Sequence, residues 1–138
     1  SRFESMAIPG ITSMSAAAAL AMKPLAVREQ VLAVVPATLP LARLVAFLRE
    51  ADRVVILKVG RHLQKVRQAL EAAKLGQGAL LVENATNQDQ RLRPLAEVQD
   101  ETAPYFSLVL AGRLPQATAK AAPEVKILRL PPRERKPG

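Results

Sequence analysis

The sequence predicts an α/β domain built on a mixed sheet, parallel at its centre and antiparallel at one side, with helices packed against it. Three observations predict it. Between residues 31 and 82, short runs rich in β-branched residues alternate with longer stretches whose apolar residues recur at helical spacing. After residue 90 two strand-like stretches follow one another without a helix between them, the pattern of antiparallel pairing. The core, finally, has to be aliphatic: 49% of the 138 residues are hydrophobic and only 3% aromatic, which suits helices covering a largely buried sheet.

Phe3 to Ile8 is a short apolar run of strand character, and Met14 to Met22 is alanine-rich with strong helix formers throughout. Ile8-Pro9-Gly10-Ile11-Thr12-Ser13 joins them as a strand-to-helix corner. Pro9 biases Ile8 to an extended conformation, and Gly10 permits a backbone angle that a side chain resists. Thr12 or Ser13 then caps the helix, leaving other first-turn N–H groups directed off the end of the sheet, where open α/β sheets hold ligands. Read alone, the same residues are ordinary turn and cap chemistry.

Lys23-Pro24 ends the helix. Val31 to Val35 reads as an interior strand, and Pro36-Ala-Thr-Leu-Pro40 turns the chain, with Thr38 as the cap of a helix whose buried stripe is Leu41, Leu44, Val45 and Leu48. Val54 to Val59 is the strongest strand, delivering Lys58 just before Gly60. Leu63, Val66, Leu70 and Ala73 make the stripe of the next helix, for which Gly76 is the natural stop. Ala79 to Val82 is the third strand. Arg91 to Val98 alternates around Pro94 as an edge or bulged strand, and Tyr105 to Leu110 is its expected antiparallel partner. From Leu114 onward proline, alanine and basic residues replace any period, so residues 1–113 form the domain and residues 114–138 a basic tail, with Val125 to Leu130 as a possible short strand.

Composition narrows the chemistry. With no cysteine and one histidine there are no disulfides, no thiolate metal sites and almost no soft metal ligands, so no metal is expected. No apolar run reaches the length of a membrane span and Ser1 to Ile8 lacks the form of a signal peptide, which makes a soluble cytoplasmic protein the expectation. The formal net charge of +8 admits nucleic acid, anionic lipid or an acidic small molecule as partner. Much of it is local to the segment from Arg113 onward, where Arg113, Lys120, Lys126, Arg129, Arg133, Arg135 and Lys136 are counted against only Glu124 and Glu134. Nucleic acid is disfavoured by the missing aromatic platform and the lack of a reader motif.

Four stretches carry a resemblance. Ile8-Pro-Gly-Ile-Thr-Ser-Met-Ser-Ala-Ala-Ala-Ala is similar to the mid-chain motif of the tetrapyrrole (corrin/porphyrin) methylases. Val31-Leu-Ala-Val-Val-Pro-Ala-Thr-Leu-Pro, Leu57-Lys-Val-Gly-Arg-His-Leu, and Val82-Glu-Asn-Ala-Thr with Asp89-Gln-Arg fit the same family in the same order. The resemblance covers Phe3 to about Arg113 and is strongest to the family's enzymes that methylate precorrin-2 at carbon 20 in cobalamin biosynthesis. Methylation at another corrin position, or of uroporphyrinogen, is the alternative it leaves. Members carry a further lobe of roughly a hundred residues ahead of the Pro-Gly motif, the size of one domain. No Gly-rich loop of that lobe stands here, so the chain resembles the C-terminal lobe alone, expected to be inactive or nearly so without its counterpart. Homodimers are common in the family.

What the resemblance implies is methyl transfer from S-adenosyl-L-methionine to a carbon of an acidic tetrapyrrole such as precorrin-2. That chemistry asks the protein to align the reactants and exclude water rather than to supply a metal or nucleophile. Cofactor-binding positions carried over by motif are Thr12, Ser13, Val59 and Ala85. Methionine often stands where Val59 is and glycine where Ala85 is, which weakens side-chain contacts more than backbone ones; plain sheet core is the competing reading for both. Lys58, Arg61 and His62 are the candidates for pairing with substrate carboxylates, against a solvated helix start. His62 is weighed as a proton acceptor against a plain surface role. Arg91 and Arg93 pose the same choice on an edge strand, Glu83 can cap or pair locally, and the Asn84 amide can fix a tight turn. The residue that accepts the proton is not marked by any motif, so no catalytic residue is assigned.

Overall fold

A computed structural model of the chain describes residues 3–113. It holds helices α1 (Ser13–Leu20), α2 (Leu41–Glu50) and α3 (Leu63–Ala72), and strands β1 (Leu32–Pro36), β2 (Arg53–Leu57), β3 (Leu80–Glu83), β4 (Arg91–Pro94) and β5 (Ser107–Gly112). Short 3-10 turns span Gly60–His62 and Leu95–Glu97. The five strands form one mixed sheet in the order β1-β2-β5-β3-β4. The mixed α/β architecture is the one the sequence predicts; the distribution of strand directions within it is not. The parallel ladder, β1 on β2, lies at one edge, while β5 runs antiparallel to both β2 and β3 and separates them.

Strand periodicity sorts the core into two faces. Val54 and Ile56 of β2, Leu81 of β3 and Val109 of β5 turn toward α2 and α3, where they join Leu44, Leu48, Leu63, Val66 and Leu70. Val55, Val82, Leu108 and Leu110 point the other way, onto Ala17 of α1 with Met14 and Leu20 beside it. A leucine stripe thus fills the thick side of the domain, and the small side chains of α1 fit the thin side.

Several local expectations change. Residues 3–12 form no strand, and Phe3, Met6, Ile8 and Ile11 are 82–89% exposed, because no neighbouring strand among the described residues accepts their backbone groups. Gly10 does not use left-handed backbone space, so Pro9 and the cap shape the corner without it. Thr12 is the N-cap of α1, its Oγ1 accepting from Ser15 N–H at 3.3 Å. Strand β1 is an edge, not an interior strand, which leaves Val31 and Val34 exposed. Thr38 does not cap α2; Pro40 occupies that position with no side-chain hydrogen bond. β4 pairs with β3 rather than with β5, and β5 starts at Ser107, two residues later than Tyr105. The tail, with its Val125 to Leu130 stretch, lies outside the described residues.

Two helices close with the same device. At the end of α3, Lys74 takes a left-handed φ of 58° while Lys74 N–H donates to Glu71 O and Leu75 N–H to Leu70 O, a Schellman closure. Met22, with φ 49°, closes α1 in the same way, Lys23 N–H reaching back to Ala18 O. The stop expected at Gly76 is therefore supplied two residues earlier by a lysine. Its side chain is exposed, so replacing it removes strain and no packing. Lys74→Gly should raise the unfolding free energy by about 1 kcal/mol in urea titration, with an unchanged m-value.

Candidate functional site

All three strands β1, β2 and β3 run in one direction and end at the same edge of the sheet, where β5 begins. The chain leaves two of these ends through backbone that side chains resist. Lys58 follows β2 with φ 57°, Gly60 has φ 28°, and beyond β3 Asn84 and Thr86 have φ 49° and 75°. Left-handed residues turn the chain sharply at a strand end, and such strained positions gather at binding sites. The β3 turn is braced: Asn84 Nδ2 donates to Asp89 Oδ2 at 2.8 Å, Thr86 N–H to Gln90 Oε1 at 3.0 Å, and Asn84 N–H to Phe106 O at 2.8 Å.

Between these turns lies a cleft of about 960 Å³, large enough for an extended ligand. One side is Lys58, Gly60, Arg61 and His62; the other is Ala85 and Asn87. Ser13, at the start of α1, and Thr38, after β1, also face it, and Leu57, Val82 and Leu108 belong to its lining. A third wall is the irregular segment Thr102–Phe106, hung on the β2 turn by Ala103 N–H donating to Gly60 O at 3.0 Å. Tyr105 and Phe106 stand on that wall as an edge-to-face pair with ring centroids 5.0 Å apart, 86% and 69% exposed.

Five of the seven site residues expected from sequence meet here: Ser13, Lys58, Arg61, His62 and Ala85. The other two do not offer their side chains. The Thr12 hydroxyl is engaged with Ser15, the Val59 side chain is fully buried in the core, and neither residue belongs to the cleft lining. Arg91 is exposed on the edge strand, and Arg93 turns to Glu83 at 2.7 Å and Asp100 at 3.0 Å. Glu83 thus pairs locally, as its sequence position suggested. Thr38, Tyr105 and Phe106 are not expected at the site from sequence: Thr38, although within a motif, looks like a cap, and the two aromatics look like strand residues.

Among the described residues no acidic side chain lines the cleft, whereas Lys58, Arg61 and His62 do, so its field favours an anion. His62 is half-buried, and its pKa is lowered first by partial burial and then by Lys65 and Arg61. Both causes tilt the imidazole toward its neutral form, in which one ring nitrogen carries a lone pair. Because the folded state binds that proton less readily than the unfolded chain, this group favours unfolding as the pH falls through the ordinary histidine range and ceases to do so above it. In an NMR titration the His62 midpoint should lie below that of a model histidine. Lys65→Gln or added salt should move it upward, since both weaken the repulsion between cations.

The sequence and the fold both have known counterparts. The family model described as Tetrapyrrole (Corrin/Porphyrin) Methylases matches residues 2–99. The precorrin-2 C(20)-methyltransferase of a Sinorhizobium species is 45% identical over 109 residues, covering 79% of this chain and 44% of that protein. The cobalamin biosynthesis protein CobIJ of Mycobacterium tuberculosis H37Rv is 44% identical over 109 residues, covering 79% of this chain and 22% of CobIJ. The crystal structure of uroporphyrin-III C-methyl transferase from Thermus thermophilus, complexed with S-adenyl homocysteine, is similar with a TM-score of 0.53 at 27% identity, over 76% of this chain and 51% of that one. The chain spans less than half the length of these two curated relatives. With most of its length matched by one family model and its sheet shared with a methylase of solved structure, this chain belongs to the tetrapyrrole methylases.

Proposed function

We propose that the chain is one lobe of an S-adenosylmethionine-dependent methyltransferase that methylates precorrin-2 at carbon 20 in cobalamin biosynthesis. The observation that carries this reading is convergence: residues from three separate sequence motifs, Ser13, Lys58 with Arg61 and His62, and Ala85, line one cleft. The Sinorhizobium relative, named for that reaction, supports the choice of substrate.

The cleft fits the cofactor and the substrate at different walls. The short Ala85 side chain and the first-turn amides of α1 beside Ser13 leave a surface on which a nucleoside and an amino-acid carboxylate can sit against backbone donors. Lys58 and Arg61 supply positive charge for the carboxylates of a tetrapyrrole. S-adenosylmethionine, when bound, supplies an electrophilic methyl group. The lobe's own task is to hold the acceptor carbon in line with that methyl and to keep water out. His62, which lines the cleft, is our candidate to take up the proton released at the acceptor carbon.

The remaining wall belongs, in this reading, to a second lobe supplied by further polypeptide, and the exposed Phe3, Met6, Ile8 and Ile11 give it apolar surface to cover. The whole enzyme is read as a cytoplasmic homodimer. Coexpressing this chain with the N-terminal lobe of the Sinorhizobium relative should give methyl transfer from S-adenosylmethionine to precorrin-2, with mass spectrometry and NMR locating the methyl at carbon 20. The 138-residue chain alone should show none. Methylation elsewhere would reassign the substrate, and turnover by the isolated chain would refute the two-lobe reading. In the assembled enzyme Arg61→Glu should raise KM for precorrin-2 about tenfold or more and leave cofactor binding little changed.

A further inference from the structure

The aromatic wall of the cleft has no secondary structure of its own: residues 98–106 form neither helix nor strand. Its position is fixed from below. Arg93, on the edge strand β4, faces the α3 side of the sheet together with Glu83, and its Nη2 donates to Glu83 Oε1 at 2.7 Å and to Asp100 Oδ2 at 3.0 Å. One nitrogen therefore ties the last residue of β3 to the residue from which the wall rises. The two arms differ in kind. Glu83 is only 2% exposed, so Arg93 neutralises a carboxylate that the interior would otherwise hold unpaired. The Asp100 side chain is 57% exposed, and its ion pair contributes little to global stability. Arg67 of α3 adds hydrogen bonds to the carbonyl oxygens of Val98 and Asp100.

We propose that Arg93 is a positioning residue for the cleft: anchored by buried Glu83, it grips Asp100 and so sets where the Thr102–Phe106 wall stands relative to the β2 turn. A weak exposed ion pair is poorly suited to holding up a fold. It is well suited to selecting one arrangement of a segment that has no ladder or helix to do so. Nothing in this inference depends on which ligand the cleft takes, so it stands or falls separately from the methyltransferase reading.

Asp100→Ala removes the outer arm and leaves the buried pair intact, so the protein should fold, unlike Arg93→Met, which strands Glu83. Amide exchange of the full chain, followed by NMR, reads the result. In Asp100→Ala the Ala103 amide, bonded to Gly60 O, should exchange about tenfold faster, while the Val55 and Val109 amides of the sheet keep their protection. Asp100→Asn, which retains an oxygen acceptor, should fall between. Tyr105 is the only tyrosine and there is no tryptophan, so intrinsic fluorescence anisotropy gives a second reading of the wall and should drop in Asp100→Ala. Unchanged Ala103 exchange would overturn the proposal. So would an equal acceleration at Val55 and Val109, which would make the pair a support of the whole fold and not of the wall.

Discussion

The double ladder of β5 is the constraint on which the rest of this structure depends. Its backbone pairs with β2 on one side and β3 on the other, so two strands that point the same way are held one strand apart instead of touching. With neighbouring strands spaced at about 4.8 Å, the ends of β2 and β3 lie roughly 10 Å from each other. The turns carrying Lys58 and Ala85 thus face across a gap, and the segment entering β5 passes between them with Tyr105 and Phe106 on its surface. A cleft at this place follows from strand order alone. Direct pairing of β2 with β3 would bring the turns together and close it.

Packing reinforces the arrangement from both sides. The leucines of α2 and α3 make the thick core layer and fix the sheet's plane, while the alanines of α1 lie close over Val55, Val82 and Leu108. Because α1 sits on the strands whose ends define the cleft, its N-terminus and Ser13 come to the rim. The N-cap at Thr12 thus serves more than helix stability: it decides where the first-turn amides are presented. Glu83 and Arg93 do similar work on the opposite face, where a charge at the end of a strand is tolerated inside the core only because its partner reaches in from the edge.

Much of this was legible in the amino-acid order. The buried stripes Leu44–Leu48 and Leu63–Val66–Leu70, the strand that runs into Lys58, and a cap at Thr12 or Ser13 follow from periodicity and cap chemistry, which act over a few residues. The place of β5 does not, since pairing partners dozens of residues apart leave no local trace. Edge status was hidden for the same reason: an apolar run such as Val31 to Val35 looks interior whether or not a neighbour covers it. The tight turn at Asn84 was anticipated, whereas the left-handed turns at Lys58 and Lys74 were missed because glycine and asparagine announce such a conformation and here lysines adopt it. At the cleft, the family resemblance pointed to residues on both facing turns, but the third wall was unmarked, being made of an irregular segment whose aromatic pair resembles the start of a strand.

Lys58 sets two demands against each other. The backbone there would be more relaxed with glycine, whereas the cleft gains a cation from the lysine side chain. A laboratory selection for heat resistance alone would push this position toward the smaller residue, and a selection for ligand capture would push it back. The amino acid found at this turn therefore records which of the two pressures has governed a given lineage, and relatives that have given up the site should be recognisable by relaxation here before any change in their core.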